Sequence, residues 1–549
     1  MYDFNVAQSM RNIRTKFELV HNHSTTGNAG DIIPFFRKEI LPGDEITLYC
    51  KTLIKMTTPS THVMDNAQCS IYYFYVPRRL LWKHWKHFMG EKSVGPHEVE
   101  PNFTIPQTTA PSGGWGENTI ADYLKIPTKI ENIKVDSAYF RAYCLIWNEW
   151  FRDQNRQDFT DFSDGDENTT GSNGSNYVTD AIGGGKCLKA CKLSDYFTRT
   201  LLQPQQGDPV LLPLGSSAPV YGSGSSIYLY EKGNNETSPL ELVTPNGGIA
   251  SGASGNLTLT NKGSIDTSQY PSGLRFPYKD EKPSGVYADL SEATSATVRQ
   301  VRMAFSLQKI QESLARNGSR YNEILKNRWG VTPSDASLQR PELLGGNEIQ
   351  IAIHPVVQTS STNEISPLGQ ISGYSNTVDD THQYFHRYFE EHGIILGLAV
   401  VRHARTYQQG LSKIFTRKTP EDFFNAELQT IGETNVFNYE IFATGDEKKD
   451  NETFGYQEYG AEYKFEPNAV TGQFRSNATN SFDNYHYADD YSETPVNGEE
   501  WIVEGTEEID RTLTMTSEKM NQFMFDFGIK EVNIRTMAPH SIPGMLDHH

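Results

Sequence analysis

The chain has 549 residues, and 49 Lys and Arg against 68 Asp and Glu leave a formal net charge of −19. Apolar residues make up 37%, and 28 Phe, 28 Tyr and 7 Trp supply the bulk of a packed core, which excludes a disordered chain. Overall charge cannot hold a nucleic-acid backbone here, because that needs clustered Lys and Arg to displace counterions; any such contact must come from local basic patches or a separate basic partner.

The opening stretch, MYDFNVAQSMRNIRTKF, has neither an apolar core segment nor a small-residue cleavage site, so it does not read as a signal peptide. No apolar run reaches the roughly 18 residues of a membrane-spanning helix. Met1 to Lys92 holds twelve Lys and Arg against eight carboxylates, so this part of an acidic chain is basic. Short β-branched or aromatic runs bounded by Pro, Gly, Asn or Asp predict strands at Ile46–Cys50, Ile71–Val76, Ile349–Ile353, Ile394–Arg402 and Phe437–Thr444. Their spacing, with long excursions between them, points to a β-sandwich or barrel.

Helical spacing of apolar residues predicts three helices. Arg79–Met89 carries Leu81, Trp82, Trp85, Phe88 and Met89 on one side, and Ala138–Gln154 carries Tyr143, Ile146, Trp147 and Trp150. Val298–Trp329 breaks at Asn317–Gly318, where a C-terminal cap and Ser319 as the next N-cap fit. Between Ser216 and Leu290, 38 of 75 residues are Gly, Ser, Thr, Asn or Pro, yet six tyrosines and alternating pieces such as SIYLYEK persist. A linker would lose such pieces, so this is expected to be a folded, surface-projecting insertion of short hairpins.

Ser476–Asp510 contains ten carboxylates and no Lys or Arg. Solvation is the plain expectation, with pairing across a subunit boundary or neutralisation by a cation as alternatives. Ala296–Gly330 holds seven cations against two carboxylates, and Arg402–Lys418 holds five and none. Two readings of these basic segments stand equally: they meet something anionic, or they pair with the acidic segments of the same or a neighbouring subunit.

Motifs of catalysis are absent from the sequence. Gly183–Gly185 and Lys186 lack the spaced glycine and following Ser/Thr of a phosphate loop. Cys187 and Cys191 have no second pair at zinc spacing, and the odd total of five cysteines fits reduced thiols. Asp164, Asp166 and Asn168 begin like a calcium loop, but Thr169 stands where the turn glycine belongs. The expectation is no enzyme, no cofactor and no metal site. In Arg78–Phe88 (RRLLWKHWKHF), basic and aromatic residues interleave: Arg78, Arg79, Lys83 and Lys86 suit phosphates while Trp82 or Trp85 stacks on bases. The competing and favoured reading packs both tryptophans inward and leaves the cations solvated.

Four stretches resemble the major capsid protein of the Microviridae, the small single-stranded DNA bacteriophages, and in particular its gokushovirus branch. They are Pro42-Gly43-Asp44 with KMTTPSTHVMDNAQCSIYYFYVPRRLLWKHWKHFMGE; RAYCLIWNEWFRDQN with DYFTRTLLQPQQGDPVLLPLG; SRYNEILKNRWGVTPSDASLQRPELLGG; and EEHGIILGLAVVRHARTYQQGL with FGYQEYGAEYKFEPNAVTGQFRS and the closing SIPGMLDHH. The matches run in order, and Ser216–Leu290, where that family carries a variable insertion, matches least.

The resemblance implies an all-β fold: an eight-stranded antiparallel viral jelly roll with long loop insertions and a few short helices. Residues 1–215 and 291–549 would form the shell domain, and 216–290 a protrusion at the threefold axes. It also implies 60 copies in a T=1 icosahedral shell around circular single-stranded DNA, assembled in the bacterial cytoplasm. A small basic internal protein, a minor or pilot protein and a bacterial surface receptor would be its partners, with no membrane insertion. Candidate DNA-facing residues are then Arg11, Arg14, Lys16, Arg78, Arg79, Lys83 and Lys86. Tyr221, Tyr228, Tyr230 and Tyr270 are candidates for host recognition, or equally for packing three symmetry-related insertions together. The rival from another class is a β-sandwich carbohydrate-active enzyme or glycan-binding protein whose carboxylates hide among the many Asp and Glu.

Overall fold

The computed structural model describes residues 13–92, 94, 101–208, 210, 298–357, 359 and 371–540, together with the backbone of short strands between 220 and 288. Two compact units divide the chain, one formed by Met1–Pro204 and Leu314–His549, the other by Gln205–Ser313.

Eight strands of the first unit make its two largest sheets: β1 (Thr15–Gly27), β2 (Ile33–Ile40), β3 (Glu45–Met56), β4 (Ala67–Pro77), β5 (Glu342–Ile351), β6 (Thr377–Tyr388), β7 (Gly393–His403) and β8 (Phe523–Arg535). One sheet has the order β1-β8-β3-β6 and the other β5-β4-β7-β2, every neighbour antiparallel. β1 and β8 pair without a break from Thr15↔Arg535 to Gly27↔Phe523.

The sequence explains why the sheets face each other. In β8, FMFDFGIKEVNIR alternates apolar and polar, so Phe523, Phe525, Phe527 and Ile529 all point to one side and are buried. Leu48 and Ile54 of β3 join them, and Phe35, Ile71, Tyr73 and Ile395 of the other sheet complete the cluster. Across the gap the rings of Phe35 and Phe527 stack at 3.9 Å between centroids.

β7 does not alternate, because both its faces are covered. Ile395, Ala399 and Val401 enter the cluster between the sheets, whereas Ile394, Leu396, Leu398 and Val400 pack under helix α1 (Ala138–Ile146) against Phe140, Tyr143 and Trp147. A strand buried on two sides reads as a continuous apolar run, as IILGLAVV does. Helix α1 continues into a wider π-helical turn at Trp147–Phe151, closed by the Arg152 N–H on the Trp147 carbonyl at 2.9 Å.

Several expected elements differ in the structure. The segment expected as one helix over Arg79–Met89 is two single turns, Arg78–Leu81 and Trp85–Phe88, with Trp82 extended between them. Trp82 is drawn into the core, and its indole N–H donates to Asp166 at 2.6 Å. Phe437–Thr444 is not a strand: the strand ends at Phe437, and a helical turn over Asn438–Ile441 follows. Glu440 causes the change, its carboxylate accepting the Phe437 backbone N–H at 2.9 Å. Ile349–Ile353 is split, because β5 ends at Ile351 and Ile353–Val357 pairs with Ile371–Ser375 instead.

Helix α2 (Val298–Asn317) and helix α3 (Tyr321–Trp329) are separated by Gly318 at a left-handed φ of +87°, as expected. The N-cap of α3 is Arg320 rather than Ser319. Glu323 reaches back to the Arg320 N–H at 3.1 Å, while Ser319 turns its own N–H and hydroxyl to Gln154.

Phe527→Ala removes a fully buried ring between the two sheets. It is expected to destabilise the subunit by about 3–5 kcal/mol, read as a lowered urea midpoint relative to the parent chain; an unchanged midpoint would contradict this packing.

Candidate nucleic-acid and assembly surfaces

The residues of the Arg78–Phe88 stretch have distinct environments. Arg78 is 8% exposed and donates from Nε and Nη2 to Glu39 at 2.6 and 2.9 Å, while its Nη1 lies 2.8 Å from Asp136. Burial works against the charge, but these two carboxylates outweigh it and push the guanidinium pKa up. Arg79 donates to Glu391 at 2.7 Å and to Gln339. Lys83 and Lys86 are exposed and form no salt bridge among the described residues. Trp82 is buried, and Trp85 lies under the Arg78 guanidinium at 5.1 Å and against His392. Both indoles serve packing, which leaves phosphate contact, if any, to the lysines.

Arg14 donates to the Gly43 carbonyl and to Glu45, and Lys16 pairs with Glu18 at 2.7 Å. Arg11 and Tyr270 lie outside the described residues. Tyr221 is in register with Tyr287, Tyr228 with Glu241 and Tyr230 with Arg275, in short antiparallel pairings of the second unit. Asp166, of the calcium-like stretch, is engaged by the Trp82 indole and by His84 at 2.8 Å; the His84 bond leads the effects that lower its pKa.

The acidic segment departs from its expectation. Asp490, Glu493, Glu500 and Glu507 are solvated, but Asp489 and Glu504 are each 1% exposed. Their partner is Arg405, itself 2% exposed, with Nη1 2.8 Å from Asp489, Nη2 2.6 Å from Glu504, and Glu508 at 3.4 Å from Nη1. Solvation fails for these two because a guanidinium from the basic segment Arg402–Lys418 replaces their water, which is the same-subunit form of pairing. His403 is fully buried with Nδ1 2.6 Å from Glu504, and Tyr491 donates to Asp489. Burial would raise the Glu504 pKa, but Arg405 and then His403 hold it down to about 2; the same contest, won by Arg405, lowers Asp489.

Large apolar side chains also stand in solvent: Trp329 on α3, Phe415, Phe423 and Ile431 in one loop region, and Val496 at 82% exposed. Aromatic and aliphatic side chains held in this way are available for contact with another protein.

Two predictions concern these charges. Folded Glu504 titrates near 2 against an ordinary value of 4.5, so the unfolded chain binds protons first. Its stabilisation is complete above about pH 4.5 and drains as pH falls toward 2. Arg405→Met leaves buried Asp489 without its guanidinium and Glu504 with His403 alone, costing about 3–5 kcal/mol at pH 7. Their pKa values then rise above the unfolded ones, so the variant should gain stability from pH 7 to 5 where the parent does not. Urea titrations across that range should show stability rising as pH falls in the variant and no change from this group in the parent. Separately, Arg78→Ala should cost about 1–3 kcal/mol, a figure discounted because the Glu39 side chain is 38% exposed. Lys83→Ala with Lys86→Ala should stay within about 0.5 kcal/mol of the parent; equal losses in both variants would show that the lysines are structural.

The chain matches the family described as capsid protein (F protein) of phages over residues 5–545. It is 36% identical over 544 residues to capsid protein VP1 of Bdellovibrio phage phiMH2K, covering 99% of this chain and 97% of that protein. It is likewise 36% identical to capsid protein VP1 of Spiroplasma virus 4, covering 99% and 98%, and 34% identical to that of Chlamydia phage 1, covering 97% and 96%. The carbohydrate-active rival finds no support, and the chain is a structural rather than a catalytic protein. An antiparallel β protein with apolar side chains held in solvent and full-length likeness to these coat proteins has a place in the virion: the chain belongs to the F-type capsid protein family of the Microviridae and is a major capsid protein.

Proposed function

We propose that the chain folds as an eight-stranded viral jelly roll and that 60 copies close into a T=1 icosahedral shell around a circular single-stranded DNA genome. The observation that carries this reading is the strand order. One sheet joins the first, eighth, third and sixth strands and the other the second, seventh, fourth and fifth, the interleaving a double Greek key requires. Shells close because each surface patch meets a complementary patch on the next copy by a fixed rotation, and the exposed Trp329, Phe415 and Val496 are side chains suited to such contacts.

A subunit carrying −19 repels the genome it encloses, so a small basic internal protein takes most of the neutralisation in this reading, with local help from the capsid lining. Of the DNA-facing candidates, Lys83 and Lys86 keep uncompensated charges, whereas Arg14, Lys16, Arg78 and Arg79 spend theirs on neighbours. Residues 216–290 form the surface insertion of the proposed domain plan and contact the host receptor through tyrosines among Tyr221, Tyr228, Tyr230 and Tyr270. A pilot protein completes the particle, and assembly takes place in the host cytoplasm.

Negative-stain microscopy of the expressed protein should show uniform round particles, and deleting 216–290 should leave particles intact while abolishing adsorption to the host. Only monomers or dimers under every assembly condition would overturn the shell. Lost assembly on deletion would move the tyrosines from receptor binding to packing.

A further inference from the structure

Five arginines that sequence proximity does not unite line one cavity of the first unit, with a volume of about 360 Å³: Arg152, Arg156, Arg199, Arg316 and Arg320. Three of them have carboxylate partners. Arg156 lies 2.9 Å from Asp153, Arg316 2.6 Å from Glu433 and Arg320 3.9 Å from Glu323. Arg152 and Arg199 have none within salt-bridge distance among the described residues. Two of the five guanidiniums are therefore without a direct carboxylate contact, although Asp153, Glu149 and Asp158 act on Arg152 from farther away.

Arg152 is the unusual member. It is 8% exposed, its Nη1 donates to the carbonyls of Gln157 at 2.7 Å and Asp153 at 3.3 Å, and its buried Nε has no acceptor. Arg320 packs beside it, donating from Nη2 to the Arg152 carbonyl at 3.1 Å, so two like charges are held together. Arg199 stands at the exposed rim, with Nε on the Ser194 hydroxyl and its guanidinium over Phe465 at 5.7 Å. A buried cation with an unsatisfied donor beside a second cation is expensive unless an anion completes the set.

We propose that this cavity is a phosphate-binding site. Guanidinium forks match phosphate oxygens two at a time, and two guanidiniums without a direct carboxylate contact suit one phosphate monoester or successive phosphodiesters. The volume lies at the small end of ligand pockets, about 300–1,000 Å³, enough for a phosphate with its sugar. Two sources share this chemistry: a free phosphate or nucleotide, and the backbone of enclosed single-stranded DNA. Only the second rests on the proposed genome-enclosing function.

The test titrates the purified full-length chain with inorganic phosphate, with deoxyadenosine monophosphate and with a deoxythymidine decamer, by calorimetry at low salt. Binding of at least one probe is expected, weakened about tenfold or more by Arg199→Glu at the rim and by Arg152→Met inside. Arg199→Glu is exposed and keeps the fold testable, and circular dichroism checks both variants. Binding of phosphate and nucleotide without the decamer assigns the site to a free ligand. Binding of the decamer with a salt slope lowered by about 0.7 per lost phosphate contact in Arg199→Glu, but not by Arg14→Ala, assigns it to the DNA backbone. No binding of any probe at millimolar concentration, or binding unchanged in both folded variants, overturns the proposal, whether or not the parent chain forms shells.

Discussion

Arg405 fixes how the long excursions of the chain attach to its sheets. It follows β7 and is buried with Asp489 and Glu504, so the acidic segment can dock only where this guanidinium waits. The backbone agrees with the charges: Gly30 donates to Val401 of β7, Ala190 to Gly30, and Glu504 to Ala190, a row of hydrogen bonds through four distant parts of the sequence. Gly30 sits at φ +79°, and a Cβ there would come within 2.5 Å of the Glu504 carbonyl oxygen, so the row also needs that glycine. Buried ion pairs add little net stability over an apolar substitute, but a half-broken one is costly. The cluster therefore acts by penalising every other arrangement of the 476–510 segment.

The two sheets divide the work of the fold differently. In the sheet β5-β4-β7-β2 the central strands β4 and β7 are packed on both faces, between the inter-sheet core and the layer around α1, Trp115 and Trp147. The sheet β1-β8-β3-β6 buries one face and leaves Lys51, Lys55 and Lys530 of the other toward solvent. Most of the framework's rigidity thus comes from one side, and the opposite face is free to vary in charge without touching the core.

This asymmetry also decides what could be read from the sequence. IYYFYV and IILGLAVVR announce themselves because doubly buried strands are apolar throughout, and they lie in β4 and β7 as expected. The singly buried strands were harder. The alternation in FMFDFGIKEVNIR is complete but is masked by the acidic region before it, and TKFELVHNHSTTG is too polar to stand out until β8 pairs with it. FNYEIFAT has strand composition, but one glutamate capping the backbone turns it helical, an interaction that propensity does not contain. The segregation of charge is visible, five cations from Arg402 through Lys418 and ten carboxylates after Ser476, but which are buried together depends on three-dimensional proximity. For the arginine cavity the local hints are RDQNR and RNGSR, which the fold brings together with Thr198–Thr200 across more than a hundred residues.

The charge of this coat protein is best understood by where cations are spent. Arg78 and Arg405 are enclosed by carboxylates and contribute nothing to the field outside. Buried pairs cancel within themselves and leave the strongly negative balance of the chain in place, so acidic copies set side by side repel one another. Association must then be driven by apolar contact and by anions or basic partners that bridge the few uncompensated cations. Lys83, Lys86 and the Arg152–Arg320 cavity are among those cations, so the places where a phosphate would bind are also places where added negative charge is tolerated by the subunit. In the proposed shell, an acidic protein surrounds an anionic polymer by confining positive charge to small sites and leaving the remaining neutralisation to the proposed basic partner.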